Sequence, residues 1–173
     1  MSGSPATILR RIRILLILFI LGLVLSGLTA FPLETELGVL SRILGVDPAA
    51  DPNSYTGLQL WIARVGLGLR ETYAKYPFIA YGTDWLAFAH LVIAVAFIGP
   101  LRDPVRNAWV ITFGLIACAG IIPLALIAGA VRQIPLYWRL IDCSFGVFGA
   151  IPLWLVRRDI LRLSKESTAL RYP

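Results

Sequence analysis

Four apolar runs limit what this chain can become more than any other feature. Residues 14–31 read ILLILFILGLVLSGLTAF and residues 80–99 read AYGTDWLAFAHLVIAVAFIG; residues 108–131 and 140–156 continue the pattern. A bilayer core of about 30 Å takes roughly 20 helical residues to cross. In hydrocarbon every backbone N–H and C=O must be satisfied internally, so runs of this length read as helices. Composition agrees. The chain is 58% hydrophobic and 15% charged, against roughly 45–50% and about 25% in soluble domains. That excess is too large for one soluble core. The expected fold is an all-α integral membrane protein, a four-transmembrane-helix bundle forming a single membrane domain over 1–173. Two amphipathic extracytoplasmic helices lie between spans 1 and 2.

The first run sits behind Arg10, Arg11 and Arg13, the charge pattern of a secretory signal peptide. Its apolar stretch is long, however, and Leu28 of LTA stands where a cleavage site wants a small residue. The expectation is an uncleaved signal-anchor. Orientation follows from the bases. Arg10, Arg11, Arg13, Arg102, Arg106, Arg157, Arg158, Arg162, Lys165 and Arg171 fall on one side of the spans. Arg42, Arg64, Arg70, Lys75, Arg132 and Arg139 fall on the other. The excess puts both termini in the cytoplasm, with the protein in a bacterial inner (cytoplasmic) membrane. The net charge of +6 is therefore topology, and no nucleic-acid partner is expected. Trp85, Trp109, Tyr137, Trp138 and Trp154 stand near span ends, as an interfacial belt requires.

The connection between the first two spans has helical order of its own, over about 33–77. LETELGVLSRILG spaces Leu33, Leu37, Leu40 and Leu44 on one helix face, with acids in its first turn and Gly45 past its end. VDPAADPNSYTG is a turn-rich break. LQLWIARVGLGLRETYAKYP puts Leu58, Trp61, Ile62, Val65, Leu69, Tyr73 and Tyr76 on one stripe, with Glu71 and Lys75 as an i,i+4 pair and Pro77 as the stop. Both helices are expected at the outer interface or capping the bundle.

Residue inventory excludes much chemistry. His90 is the only histidine, Met1 the only methionine, and Cys118 and Cys143 the only cysteines. One histidine cannot ligate a b-type haem from both sides. A tetrahedral Cys/His zinc site lacks its ligands, and neither lysine lies in a span to carry a retinal Schiff base. No cofactor and no metal is expected. The polar residues that remain are Asp84 at the outer end of span 2, Arg132 after span 3, and Arg139 with Asp142 at the start of span 4. Arg139 and Asp142 are i,i+3 and can meet on one helix face. The four residues are either a salt-bridged seam or a site for a carboxylate, phosphate or lipid headgroup. His90, some 9 Å inside span 2 by helical rise, is either a neutral imidazole bonded to a neighbour such as Ser144 or Thr112, or a proton or quinone partner. The cysteines differ in depth by about 10 Å, beyond disulfide reach. They read as small residues at helix contacts. Gly22 with Ser26, Ala125 with Gly129 and Gly146 with Ala150 are small-xxx-small pairs that permit close helix approach. Pro123 and Pro152 are expected to kink their helices.

At YGTDWLAFAH (Tyr81–His90) and WRLIDCSFGVFG (Trp138–Gly149) the chain resembles a group of small bacterial multipass membrane proteins without an assigned activity. The similarity covers spans 2 to 4, about half the chain, and implies no residue roles. Size and span count also resemble the disulfide-bond-forming quinone reductases, but the paired cysteines those enzymes need are missing. The expected function is a non-catalytic accessory or interaction subunit of a membrane complex. Its expected partners are the lipid bilayer and either a membrane protein or a second copy of the chain. The alternative is a small membrane enzyme or binding protein that holds a lipid, quinone or anionic small molecule at an outer-facing site of Asp84, His90, Arg132, Arg139 and Asp142.

Overall fold

The computed structural model describes residues 4–169. Among them the chain is helical throughout, without strands. In order, the helices are α1 (Pro5–Ala30), α2 (Leu33–Ile43), α3 (Gly57–Lys75), α4 (Ala80–Ala96), α5 (Ile98–Arg102), α6 (Ala108–Pro123), α7 (Gly129–Val131) and α8 (Leu136–Ala169). Four continuous stretches are long and apolar enough to cross a membrane: Pro5–Ala30, Pro77–Arg102, Ala108–Val131 and Leu136–Lys165. These are the signature of a multipass membrane protein.

Two of these stretches outrun their apolar runs. α1 begins at Pro5, not near residue 14, and so carries Arg10, Arg11 and Arg13 within the helix. Pro is well placed in the first helical turn, where its missing N–H would be unsatisfied anyway, and Arg and Leu sustain the helix after it. α8 runs past Val156 to Ala169. Its 34 residues rise about 51 Å, well beyond a hydrocarbon core. The polar boundary of a span thus does not end the helix. Arg171, counted above for orientation, lies outside the described residues.

The chain divides into two compact units. One comprises the first helix up to Gly22 and the residues from Ile93 onward; the other is Leu23–Val92.

In the first unit α6 and α8 pack along their length, and glycines let them approach. A Cβ on Gly146 would stand 2.5 Å from the Cys118 carbonyl oxygen, and one on Gly149 would stand 3.0 Å from Cys118 Sγ. A Cβ on Gly114 would meet Leu153 and Phe97 at 2.7 Å each. Phe19 of α1 stacks at a tilt on Phe97, centroids 4.7 Å apart. Pro123 does not simply bend its helix. The chain passes through a π-helical turn at Leu124–Ala128 before α7. That stretch ends in a Schellman motif, with Ile134 N–H on the Gly129 carbonyl and Gln133 N–H on that of Ala130. Gln133 occupies the left-handed position at φ 58°, where glycine is favoured. Pro152 is accommodated inside α8.

In the second unit α2 and α3 form a hairpin. Gly45, at φ 68°, closes α2 with the same Schellman pattern: Val46 N–H reaches the Ser41 carbonyl and Gly45 N–H that of Arg42. Val46 then buries its side chain. The turn-rich break is held by Asp51, whose carboxylate caps Asn53 N–H at 2.9 Å, and by Asp47 N–H donating to the Tyr55 hydroxyl. The face α3 turns inward is Ile62, Ala63 and Gly66, and a Cβ on Gly66 would lie 3.6 Å from Leu37 of α2. Leu58 and Tyr76, expected on the packed stripe, remain exposed. Ile62 of that stripe is buried as expected, beside the small residues Ala63 and Gly66. Arg70 crosses to donate to the Pro48 carbonyl. Glu71 and Lys75 form no ion pair; Lys75 Nζ instead stands over the Tyr76 ring. Tyr73 and Thr83 hydroxyls, 3.2 Å apart, tie α3 to α4.

Gly22, named with Ser26 as permitting close helix approach within the bundle or against a partner, faces open space in this chain. The approach of α1 to α4 is made by Gly27, whose Cβ would stand 2.9 Å from the Ala87 carbonyl oxygen.

Candidate functional site

The five residues singled out in the sequence do not all fall in one compact unit. Asp84 and His90 belong to the second; Arg132, Arg139 and Asp142 belong to the first. Asp84 is half-buried on α4, beside a shallow groove it lines with Phe31, Tyr81, Trp85 and Phe88. The aromatic members form an edge-to-face ladder, with Tyr81–Trp85 and Trp85–Phe88 centroids each 6.0 Å apart. His90 sits one turn past Leu86 and approaches its carbonyl oxygen with Nδ1 at 2.8 Å. A carbonyl only accepts, so Nδ1 carries the proton and a neutral ring keeps Nε2 as an acceptor. The neighbours expected for His90 bond within their own helices: Ser144 to the Ile141 carbonyl and Thr112 to that of Ala108.

In the first unit Arg132, Arg139 and Asp142 form no ion pair with one another. Arg132 is exposed at the end of its span. Arg139 lies back along its own helix and across to α7. Its Cγ and Cδ cover Gly129, where a Cβ would come within 2.7 Å of them. Its NH1 donates to the Leu126 carbonyl at 3.2 Å. That carbonyl belongs to the π-helical turn, so Arg139 serves as a clip on a distorted segment. Its Nε is buried without a partner. Asp142, half-buried one turn further on, has neither a hydrogen bond nor an ion pair among the described residues. The i,i+3 spacing permits the Arg139–Asp142 pair, but Arg139 is drawn the other way by the freed backbone.

A charged centre not singled out in the sequence lies at the opposite end of α8. Asp159 is fully buried. Arg11 of α1 grips it in a fork, with Nε donating to Oδ2 at 2.6 Å and NH2 to Oδ1. Arg158 Nε stands 4.0 Å from the same Oδ1, and its guanidinium lies over the Trp154 ring, 5.3 Å from the centroid. A planar fork matched to both carboxylate oxygens is the strongest ion-pair geometry available to side chains. The one sequence signal was a single acid set among Arg157, Arg158 and Arg162.

Cys118 is buried at the α6–α8 contact and Cys143 is half-buried; both are free thiols. Among the described residues no three His, Cys, Asp or Glu side chains gather in a metal-binding group. In comparisons with family models, curated proteins and solved structures, no match to the chain is found.

Proposed function

We propose that this chain is a non-catalytic interaction subunit of a complex in a bacterial inner membrane. The observation that carries the reading is Asp142. It lies within an apolar span without a partner among the described residues, and ionisable groups at such positions are costly unless another group meets them. A neighbouring transmembrane helix that offers a cation or a hydrogen-bond donor would complete it. The exposed apolar surface supports the same reading. Fewer than a quarter of the residues in the most apolar part of each span are buried within the chain. Phe145, on the same helix one turn from Asp142, is 65% exposed.

The test is native purification in lipid nanodiscs followed by mass spectrometry of everything retained. A second membrane protein, or a second copy, in fixed ratio is the expected result. A lone chain carrying a lipid or quinone in fixed ratio would sink the subunit reading and favour a ligand-binding one.

The proposed orientation places both termini in the cytoplasm and α2 and α3 outside. It rests on the ten-to-six division of bases between the two sides. A reporter fused after Pro173 should be active only in the form that folds in the cytoplasm. One inserted beside Asn53 should behave oppositely.

A further inference from the structure

The cation at Arg158 is left over after the clasp forms. Two guanidinium groups converge on one carboxylate, and Arg11 takes both of its oxygens. Arg158 is held too far off, at 4.0 Å, to hydrogen-bond to it. Its Nε is buried without a partner, yet its side chain is 39% exposed, so its outer nitrogens reach solvent or headgroups. Trp154, one turn earlier, is itself 56% exposed and supports the guanidinium from below. One and two turns further along α8, Arg162 and Lys165 are exposed on the same helix face. The sequence of chemistry along this face is therefore an aromatic ring at the hydrocarbon boundary, a ring-stacked guanidinium, and then two more bases. Of the two acids nearest this face, Asp159 is buried and occupied, and Glu166 follows Lys165 in the sequence.

We infer that Trp154, Arg158, Arg162 and Lys165 form a binding site for the phosphate of an anionic phospholipid headgroup. The acyl chains would lie along the apolar surface beside Trp154, and the phosphate would take the free nitrogens of Arg158. A guanidinium offers phosphate a paired donor set, and an indole at the interface is the usual neighbour of a headgroup. A membrane source fits better than free phosphate because the site is continuous with the apolar face of the span. The inference does not depend on the chain having a protein partner.

Native mass spectrometry of the protein released from nanodiscs of equimolar phosphatidylcholine and phosphatidylglycerol tests it. The wild type should retain phosphatidylglycerol in excess. Arg158→Gln should lower that excess by roughly fivefold, the effect of one base at a membrane surface. Arg158→Lys should restore part of it, and Arg42→Gln, on the second unit, should leave it unchanged. Equal retention of both lipids by the wild type, or an unchanged excess in Arg158→Gln, would overturn the site. Loss of the bound lipid to inorganic phosphate at constant ionic strength would overturn the lipid as the source. Should Arg158→Gln fail to fold, the Arg162→Gln, Lys165→Gln double variant gives the same readout farther from the clasp.

Discussion

Asp159 and Asp142 lie about 26 Å apart along α8 by helical rise, each with an arginine close in sequence, and they share neither exposure nor partner. Asp159 is fully buried, and its carboxylate is gripped by an arginine from the far end of the chain. Asp142 is half-buried and unpaired among the described residues, although Arg139 stands one turn away. The difference lies in what the arginine meets first. Arg11 faces a buried carboxylate with both oxygens presented to it. Arg139 faces a glycine that leaves room for its methylenes and a carbonyl in a π-helical turn that accepts its hydrogen bond. Spacing on one helix permits a pair; competition from the neighbouring backbone decides whether it forms.

The largest effect should come from breaking the clasp. Arg11→Ala leaves a fully buried carboxylate with only a distant cation. Removing one member of a buried pair costs about 3–5 kcal/mol. Because Arg11 keeps 47% of its side chain exposed, a loss of about 2–4 kcal/mol is expected. Thermal unfolding in detergent would measure it. The double variant Arg11→Ala, Asp159→Asn should recover much of that loss, and strict additivity would show that the two residues do not act as a pair.

Next is Gly146→Val. Its new Cβ would stand 2.5 Å from a backbone oxygen of α6, which no side-chain rotation relieves. Overpacking of this kind costs about 1–3 kcal/mol. Gly22→Val, in open space, should leave the melting temperature unchanged. Equal effects at the two glycines would refute the assignment of the contact face.

These variants also mark the limits of sequence reading. The spans and the helix end at Gly45 are legible because each is written locally, as a run of apolar residues or a residue suited to one backbone conformation. Gly45 is where the chain needs φ above zero; Gln133 meets the same need without the usual residue, so no signal marks it. Gly146, named with Ala150 as permitting close approach, does make one, whereas Gly27 looks like many other small residues in the spans. Which of them touch depends on helix rotation, and low amphipathicity in apolar helices leaves rotation unwritten. The Arg11–Asp159 pair is invisible for a related reason. Its members are 148 positions apart, and charges beyond a span end read as solvated. The five site residues were found as polar outliers, but their separation into two units could not be read from depth along each span alone.

A smaller effect is expected at the clip. Arg139→Ala removes the donor to the Leu126 carbonyl and the methylenes covering Gly129, a loss of about 1 kcal/mol. Hydrogen exchange should quicken across residues 124–131 and not in α2 or α3. Uniform quickening would mean that Arg139 supports the whole protein, not the π-helical turn.

The smallest effect on stability, and the sharpest contrast with Asp159, belongs to Asp142→Asn. With no partner among the described residues to lose, the isolated chain should change by less than about 0.5 kcal/mol. If the carboxylate meets a cation on a neighbouring helix, the same substitution should weaken association. Losing one partner of a desolvated charge pair costs about 2–5 kcal/mol, enough to remove the partner during native purification. An unchanged melting temperature together with a lost partner would separate the two aspartates by role, one holding the chain to itself and the other to a neighbour. An unchanged partner would leave Asp142 without the role proposed for it, while the clasp at Asp159 would stand.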